Sequence, residues 1–183
     1  MLSRWIYRLR TVGLALALGA WGGAAAAFAH DVREMTVDAR VHADRIEVVV
    51  VVSAHFAGVI LDETGGGGPL SADNFAASHA LLEARARHLC VLRSGEGETL
   101  PLVGLDVVRG EQDEVMFFLG YGPAGGPDLS LEVPLLERLE AGYTVAVKVI
   151  DEKRRPLAAG ALTCGRARLA VSVARVGAEP GGG

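Results

Sequence analysis

The 183-residue sequence lacks the patterns that usually identify an enzyme. It has no G-x-S-x-G elbow, and neither Ser53 nor Ser130 has a recognisable base in its sequence context. The four glycines at 65–68 are not followed by the Lys-Ser/Thr pair of a phosphate-binding loop. Acidic neighbours such as Asp151 and Glu152 lie in turn-like segments, where carboxylates are usually solvated. The sequence therefore predicts no catalytic residues and a protein that is not an enzyme.

Cysteine is scarce as well, because Cys90 and Cys164 are the only two in the chain. Neither has a sequence neighbour that would make it catalytic. An oxidising compartment would allow the two to form a disulfide. A disulfide needs Cα atoms within about 7 Å of each other, a distance that the sequence does not reveal. A disulfide and two buried free thiols therefore both stay open.

The N-terminal segment has the three parts of a secretory signal peptide. The basic stretch MLSRWIYRLR precedes the apolar run TVGLALALGAWGGAAAA and the small residues of AFA. We expect a signal peptide at 1–29, cleaved after Ala29, so that 154 of the 183 residues remain and the mature chain starts at His30. The mature protein would be periplasmic or secreted. The alternative is an uncleaved membrane anchor, since the apolar run approaches the lower length limit for a transmembrane helix.

The mature chain is acidic and has no second long apolar run. Three of the 18 basic residues belong to the signal peptide, so 15 remain against 22 acidic residues, a net charge of −7. Without a clustered basic face, nucleic acid is not an expected partner. The apolar run at 46–61 is interrupted by Glu47, Ser53 and His55. We therefore expect a soluble protein with no stable membrane span after signal cleavage.

The hydropathy pattern predicts a single, mainly β domain at 30–176 and a disordered tail at 177–183. The stretch EMTVDARV alternates between apolar and polar residues, as a half-buried strand does, and IEVVVVVSAHF predicts a strand that is buried on both faces. The HADR turn between them predicts an antiparallel hairpin in which paired residue numbers sum to 87. Six further strand-like segments favour an antiparallel β-sandwich-like domain.

One inserted α-helix is predicted at about 71–92. Phe75, Leu82 and Leu89 recur every seven residues, which is helical spacing. Ser71 is a favourable residue type for the position that caps a helix N-terminus.

The segment before this helix resembles a calcium-binding EF-hand loop that has lost its ligands. Such a loop has oxygen donors at positions 1, 3 and 5, a glycine at 6, an apolar residue at 8 and a bidentate glutamate at 12. Aligned on its C-terminal end, the segment has Gly68 at position 6, Leu70 at 8 and Asn74 at 12. Position 1 is Glu63, but positions 3 and 5 are glycines. We therefore expect a degenerate EF-hand loop that does not bind calcium.

Taken together, these segments resemble a known family. The hairpin after an AHD start, the LD...G...LSAD.F loop, the leucine-rich helix and the strand after LPL are similar to the periplasmic N-terminal domain associated with HupE/UreJ-type membrane proteins. Those proteins are hydrogenase and urease accessory proteins. The segment PLLERLEAGYTVAVKV also resembles this family. Its loop usually has acidic residues where this chain has Gly65 and Gly67, so no metal role of the loop is carried over.

The resemblance implies an exported, non-enzymatic accessory or binding module of the cell envelope. Such a module would act on a protein partner in the envelope. Its context would be metal uptake or metalloenzyme maturation, that is, metal homeostasis.

The histidines support an alternative function, a periplasmic copper-binding protein. As the mature N-terminal residue, His30 would offer an amine and an imidazole to Cu(II), to which a second imidazole would be added. In the predicted register His55 faces Val32, one diagonal step from His30. Otherwise His30 is a frayed terminal residue and His55 a polar residue at a strand end. Apart from this copper ion no cofactor is predicted. The three remaining histidines are predicted to be surface residues: His42, His79 and His88.

Overall fold

The first hairpin shows how the alternation of apolar residues sets the fold. The computed structural model describes residues 34–62, 68–111, 113–139 and 142–173. In the hairpin, Met35 pairs with Val52 and Val41 with Ile46, so the predicted register, with paired numbers that sum to 87, is confirmed. A shift by one residue would turn the buried side chains, Val37 among them, towards solvent. The hydrophobic pattern therefore fixes both the pairing and the face that enters the core.

The described residues form nine strands, two α-helices and one short 3-10 helix. In chain order they are β1 (Glu34–Val41), β2 (Ile46–Ser53), α1 (Ala54–Asp62), α2 (Ala72–Ala86), β3 (Val91–Ser94), β4 (Leu102–Arg109), β5 (Glu114–Tyr121), β6 (Asp128–Glu132), the 3-10 helix (Pro134–Glu137), β7 (Thr144–Asp151), β8 (Pro156–Thr163) and β9 (Arg168–Ser172).

The strands form two sheets. The larger sheet has the order β4-β5-β2-β1-β7-β8, and the smaller one has the order β3-β6-β9. Neighbouring strands run antiparallel except β1 and β7, which are parallel. The mainly β, antiparallel β-sandwich-like fold expected from the sequence is thus confirmed.

The core lies against one face of the six-stranded sheet, which we call the inner face. Its side chains include Val37, Val50 and Phe117, each at most 1% exposed. The same core cluster contains Leu131 of the smaller sheet and Leu82 of α2. Burying one such side chain stabilises the fold by about 1.5–3 kcal/mol. Both helices and the smaller sheet thus cover the inner face.

The described residues contain two α-helices where the sequence predicted one. β2 ends at Ser53, and the residues predicted to extend it begin α1. The hydroxyl of Ser53 accepts a hydrogen bond of 3.1 Å from the amide of Phe56, which caps the start of this helix. Six of its nine residues are buried, Phe56, Val59 and Ile60 among them. A continuous apolar run does not distinguish such a helix from a buried strand, which is why the prediction missed it.

The second helix begins where it was predicted and ends earlier. The hydroxyl of Ser71 accepts a hydrogen bond from the amide of Asn74 and caps α2. The helix ends at Ala86, and the chain then brings the buried residues Leu89 and Cys90 into the core before β3. The seven-residue spacing therefore predicted a buried residue correctly at Leu89, although Leu89 lies beyond the end of the helix.

The two cysteines are free thiols in this structure. Cys90 is buried beside β3, and Cys164 is exposed in the turn after β8. Burial raises the pKa of the Cys90 thiol to about 12, which makes the reactive thiolate rare at neutral pH.

The predicted signal peptide, 1–29, and the predicted tail, 177–183, lie outside the described residues. Neither α-helix in the described part of the chain has the length and hydropathy needed to cross a bilayer.

Candidate functional site: a cleft between two helices

The segment with EF-hand-like spacing lies between two helices. α1 ends at Asp62, directly before the first position of the predicted loop, and α2 begins at its tenth position, Ala72. An EF-hand has a helix on each side of its loop, and only the second of these helices was expected here. Residues 63–67 are outside the described part of the chain, so the degenerate EF-hand itself stays a prediction. The described residues show one helix on each side of this segment.

Contacts within the protein hold the end of this connection. The amide of Leu70 donates a hydrogen bond of 2.8 Å to the carbonyl of Ala54, the first residue of α1. The Leu70 side chain is 3% exposed and belongs to the core cluster. Together with the Ser71 cap, these contacts position the start of α2 against the start of α1.

An open cleft of about 360 Å³ lies between the two helices. Its wall combines apolar side chains, a carboxylate, an amide and a hydroxyl. The lining residues are Gly58, Leu61 and Asp62 from α1 and Gly68, Leu70, Asn74 and Ser78 from the connection and α2. The cleft therefore offers both an apolar surface and hydrogen-bonding groups to a bound molecule.

One face of α2 extends this cleft with an exposed leucine. Asn74, Ser78 and Leu81 are separated by four and three residues, so they lie on the same side of the helix. Leu81 is 46% exposed, and it and Val103 are the two exposed large hydrophobic side chains found among the described residues. We call Asn74, Ser78 and Leu81 the α2 stripe. The stripe thus leads from the polar wall of the cleft to the exposed apolar side chain of Leu81.

His79 fastens α2 to the larger sheet. Its Nε2 lies 3.1 Å from the carbonyl oxygen of Val107 in β4. A carbonyl only accepts hydrogen bonds, so Nε2 carries the proton and donates it. Nδ1 is 3.9 Å from the carboxylate of Glu83 one turn along the helix. These contacts hold the orientation of α2 and thus of its stripe.

The other histidines also have defined places. His88 is exposed, as predicted, whereas His42 and His79 are half-buried. His42 lies 3.3 Å from the carboxylate of Glu47. His42 and His79 each contact a specific polar partner, and the local sequence around a histidine does not reveal such a contact.

The predicted copper ligands are not brought together by the described structure. His55 is half-buried in the first turn of α1 and is not part of β2, so the strand register does not place it opposite Val32. His30 lies outside the described residues. Within the described ranges, no group of three or more His, Cys, Asp and Glu residues is arranged to hold a metal ion. A site formed by His30 and His55 stays a prediction without the geometric argument that suggested it.

Two further charge clusters stabilise the sandwich. Glu132 in β6 contacts Arg93 in β3 at 3.2 Å and also Arg168 in β9, which links all three strands of the smaller sheet. Asp151 closes the turn between β7 and β8 by accepting hydrogen bonds from the amide and the guanidinium of Arg155. Arginine contacts hold each of these carboxylates in place, and we assign both clusters a structural role.

No protein-family model matches this chain, and no curated protein matches its sequence. The cleft and the α2 stripe are therefore the features that bear on function. Sequence reasoning missed both because it did not predict α1. The one signal in the sequence was Ser53, a favoured N-cap residue, because the apolar run that follows it is continuous and shows no helical spacing.

Proposed function

We propose that the protein is an exported, non-enzymatic accessory or binding module of the cell envelope that binds a protein partner in the cleft between α1 and α2. The observation that carries the proposal is the α2 stripe, in which Leu81 is exposed at the end of a cleft lined by Asn74 and Ser78. The predicted signal peptide supports export. The resemblance to the domain associated with HupE/UreJ-type proteins supports a role in metal uptake or metalloenzyme maturation.

The shape of the cleft favours a protein segment over a small molecule. Its volume of about 360 Å³ is at the lower end of the range of about 300–1,000 Å³ for ligand pockets, and it is open to solvent. A small molecule in such a site would keep much of its surface in water. A peptide segment, by contrast, can place one apolar side chain beside Leu81 and direct its backbone groups towards Asn74 and Ser78.

Site-specific photo-crosslinking in cells tests this function. A benzophenone amino acid at Ser78 would face the cleft, whereas one at Ala76 would lie about 160° round the same helix. Ala76 is exposed and belongs to α2, so it is a matched control. We expect one envelope protein to be cross-linked from position 78 and not from position 76, and we expect Leu81→Ser to reduce that product at least several-fold.

Two results would contradict the proposal. One is the same set of products from both positions, which would indicate random collisions. The other is the absence of any product from position 78 in cells in which the protein is exported and folded. Mass spectrometry of the product identifies the partner.

A further inference from the structure

The stretch of chain that forms the cleft contains acids but no lysine or arginine. Between Arg45 and Arg85 the sequence has five acidic residues, two histidines and no lysine or arginine. All of α1 and most of α2 lie in this stretch. The residues that line the cleft include one carboxylate and no basic side chain. A molecule that enters the cleft therefore meets negative charge that no lining residue neutralises.

Asp62 places this negative charge at the C-terminal end of α1. It is the last residue of the helix, it is exposed, and it lines the cleft. The C-terminal end of a helix has a partial negative charge, and α1 has no basic residue in its last turn to offset it. The carboxylate and the helix end therefore both attract a positively charged group.

Asp73 adds a second exposed carboxylate at the start of α2, beside Asn74 of the cleft wall. It lies in the first turn of the helix, where it offsets the positive end of the α2 dipole. The basic residues of α2 lie at its other end, since Arg85 is eleven residues after Asn74, roughly 16 Å along the helix axis. The charge at the cleft is thus of one sign.

We propose that the partner of this cleft is a basic protein segment, which places an arginine or lysine side chain beside Asp62 and an apolar side chain beside Leu81. This inference rests on the proposed function and specifies the chemistry of the partner. Asn74 and Leu81 are about 10 Å apart along α2, a distance that about three residues of extended chain span. A short segment can therefore reach both contacts, whereas an acidic segment would bring like charges together at Asp62.

Arginine fits the polar groups of the cleft better than lysine does. The Asp62 carboxylate, the Asn74 amide oxygen and the Ser78 hydroxyl all accept hydrogen bonds. The last carbonyls of a helix such as α1 have no partner within the helix, so they are further acceptors. A guanidinium offers five donors in a fixed planar geometry, and an ammonium offers three. We therefore expect arginine to be the preferred basic residue.

Selection of random twelve-residue peptides displayed on phage, with the exported protein as bait, tests this inference. We expect the enriched peptides to combine arginine or lysine with a nearby apolar residue. Measured by fluorescence anisotropy, these peptides should bind Asp62→Arg about tenfold or more weakly, and Asp73→Arg should also weaken them. Asp62→Asn, which removes the charge without reversing it, should have a smaller effect in the same direction. Glu152→Arg, in an exposed turn, makes the same change in net charge and should stay within about twofold.

The enriched peptides can overturn this inference in two ways. The first is an absence of enrichment, or enrichment of peptides without a basic residue. The second is an equal loss of binding in Asp62→Arg and Glu152→Arg, since the attraction would then depend on net charge and not on the cleft. Circular dichroism of each variant shows that a loss of binding does not come from unfolding.

The photo-crosslink from position 78 separates this inference from the proposed function. An envelope protein that is cross-linked equally well in Asp62→Arg would overturn the basic partner and leave the binding function intact. The loss of every product from the unsubstituted protein would overturn both. A product that consists of two copies of this chain would assign the cleft to self-association and would also overturn both.

Discussion

Val50 and Val51 are adjacent in β2 and chemically identical, yet Val50 is fully buried on the inner face while Val51 is half-buried on the opposite face of the sheet, the outer face. Val50 belongs to the core cluster that includes side chains of both helices and of the smaller sheet, and Val51 does not. An unbroken run of valines therefore indicates a strand with apolar residues on both faces. It does not say whether the second face is covered by the same chain.

The largest expected difference between the two faces is at neighbouring phenylalanines of β5. Phe117→Ala should reduce the free energy of unfolding by about 3–5 kcal/mol, because it leaves a cavity in the core. Phe118→Ala should cost the monomer less, about 1–3 kcal/mol, since Phe118 lies outside the core cluster. Urea unfolding at low protein concentration measures both. Equal losses would show that the outer face is packed as tightly as the inner one.

A smaller difference is expected at the two valines. Val50→Thr keeps the shape of the side chain but buries a hydroxyl in the apolar core, which should lower the free energy of unfolding by about 1–3 kcal/mol. Val51→Thr should change the stability of the monomer by less than about 0.5 kcal/mol, because the half-buried hydroxyl can reach water. Thermal unfolding of the two variants decides the point. A cost at position 51 as large as at position 50 would contradict the contrast between the faces.

The smallest effects concern two carboxylates and their dependence on pH. At Asp151, burial acts to raise the pKa, but the hydrogen bonds and charge of Arg155 outweigh it and the pKa is lowered. Its stabilisation is thus present above the pKa of the unfolded chain and is lost as pH falls through the lower folded value. At Asp38 burial raises the pKa despite Lys148, so ionisation of Asp38 destabilises the monomer and acid relieves that cost.

Asp→Asn variants at positions 151 and 38 should differ in the sign of their effect on the free energy of unfolding at neutral pH. Asp151→Asn should lower the stability at neutral pH, and the deficit should shrink as pH falls towards the acid range. Asp38→Asn should leave the monomer as stable or slightly more stable at neutral pH, with the difference disappearing in acid. Unfolding free energies of monomeric samples across the pH range measure both. The same sign for both variants at neutral pH would refute the assignment.

Local patterns were sufficient for elements that depend on nearby residues. The register of β1 and β2 follows from alternation and a short turn, and the start of α2 follows from the Ser71 cap. The parallel pairing of β1 with β7 joins segments about a hundred residues apart, which no local pattern reports.

The candidate site was harder to predict because it depends on two elements together. The cleft exists only where α1 meets α2, and α1 was hidden in an apolar run that also fits a strand. The same error removed the geometric basis of the His30 and His55 prediction, since one residue of the pair is helical. The sequence does not predict that Leu81 is exposed, because its exposure depends on how α2 is rotated against the sheet. Contacts such as that of His79 fix this rotation.

The hydrogen bond from His79 to Val107 also bears on aggregation. β4 is an edge strand, and exposed backbone groups along such an edge can recruit strands from other chains. Here one carbonyl of that edge is already occupied by a side chain of the helix packed beside it. Strand addition along this part of β4 would have to compete with the contact between His79 and Val107. The helix that carries the α2 stripe therefore also restricts access to this edge of the sheet.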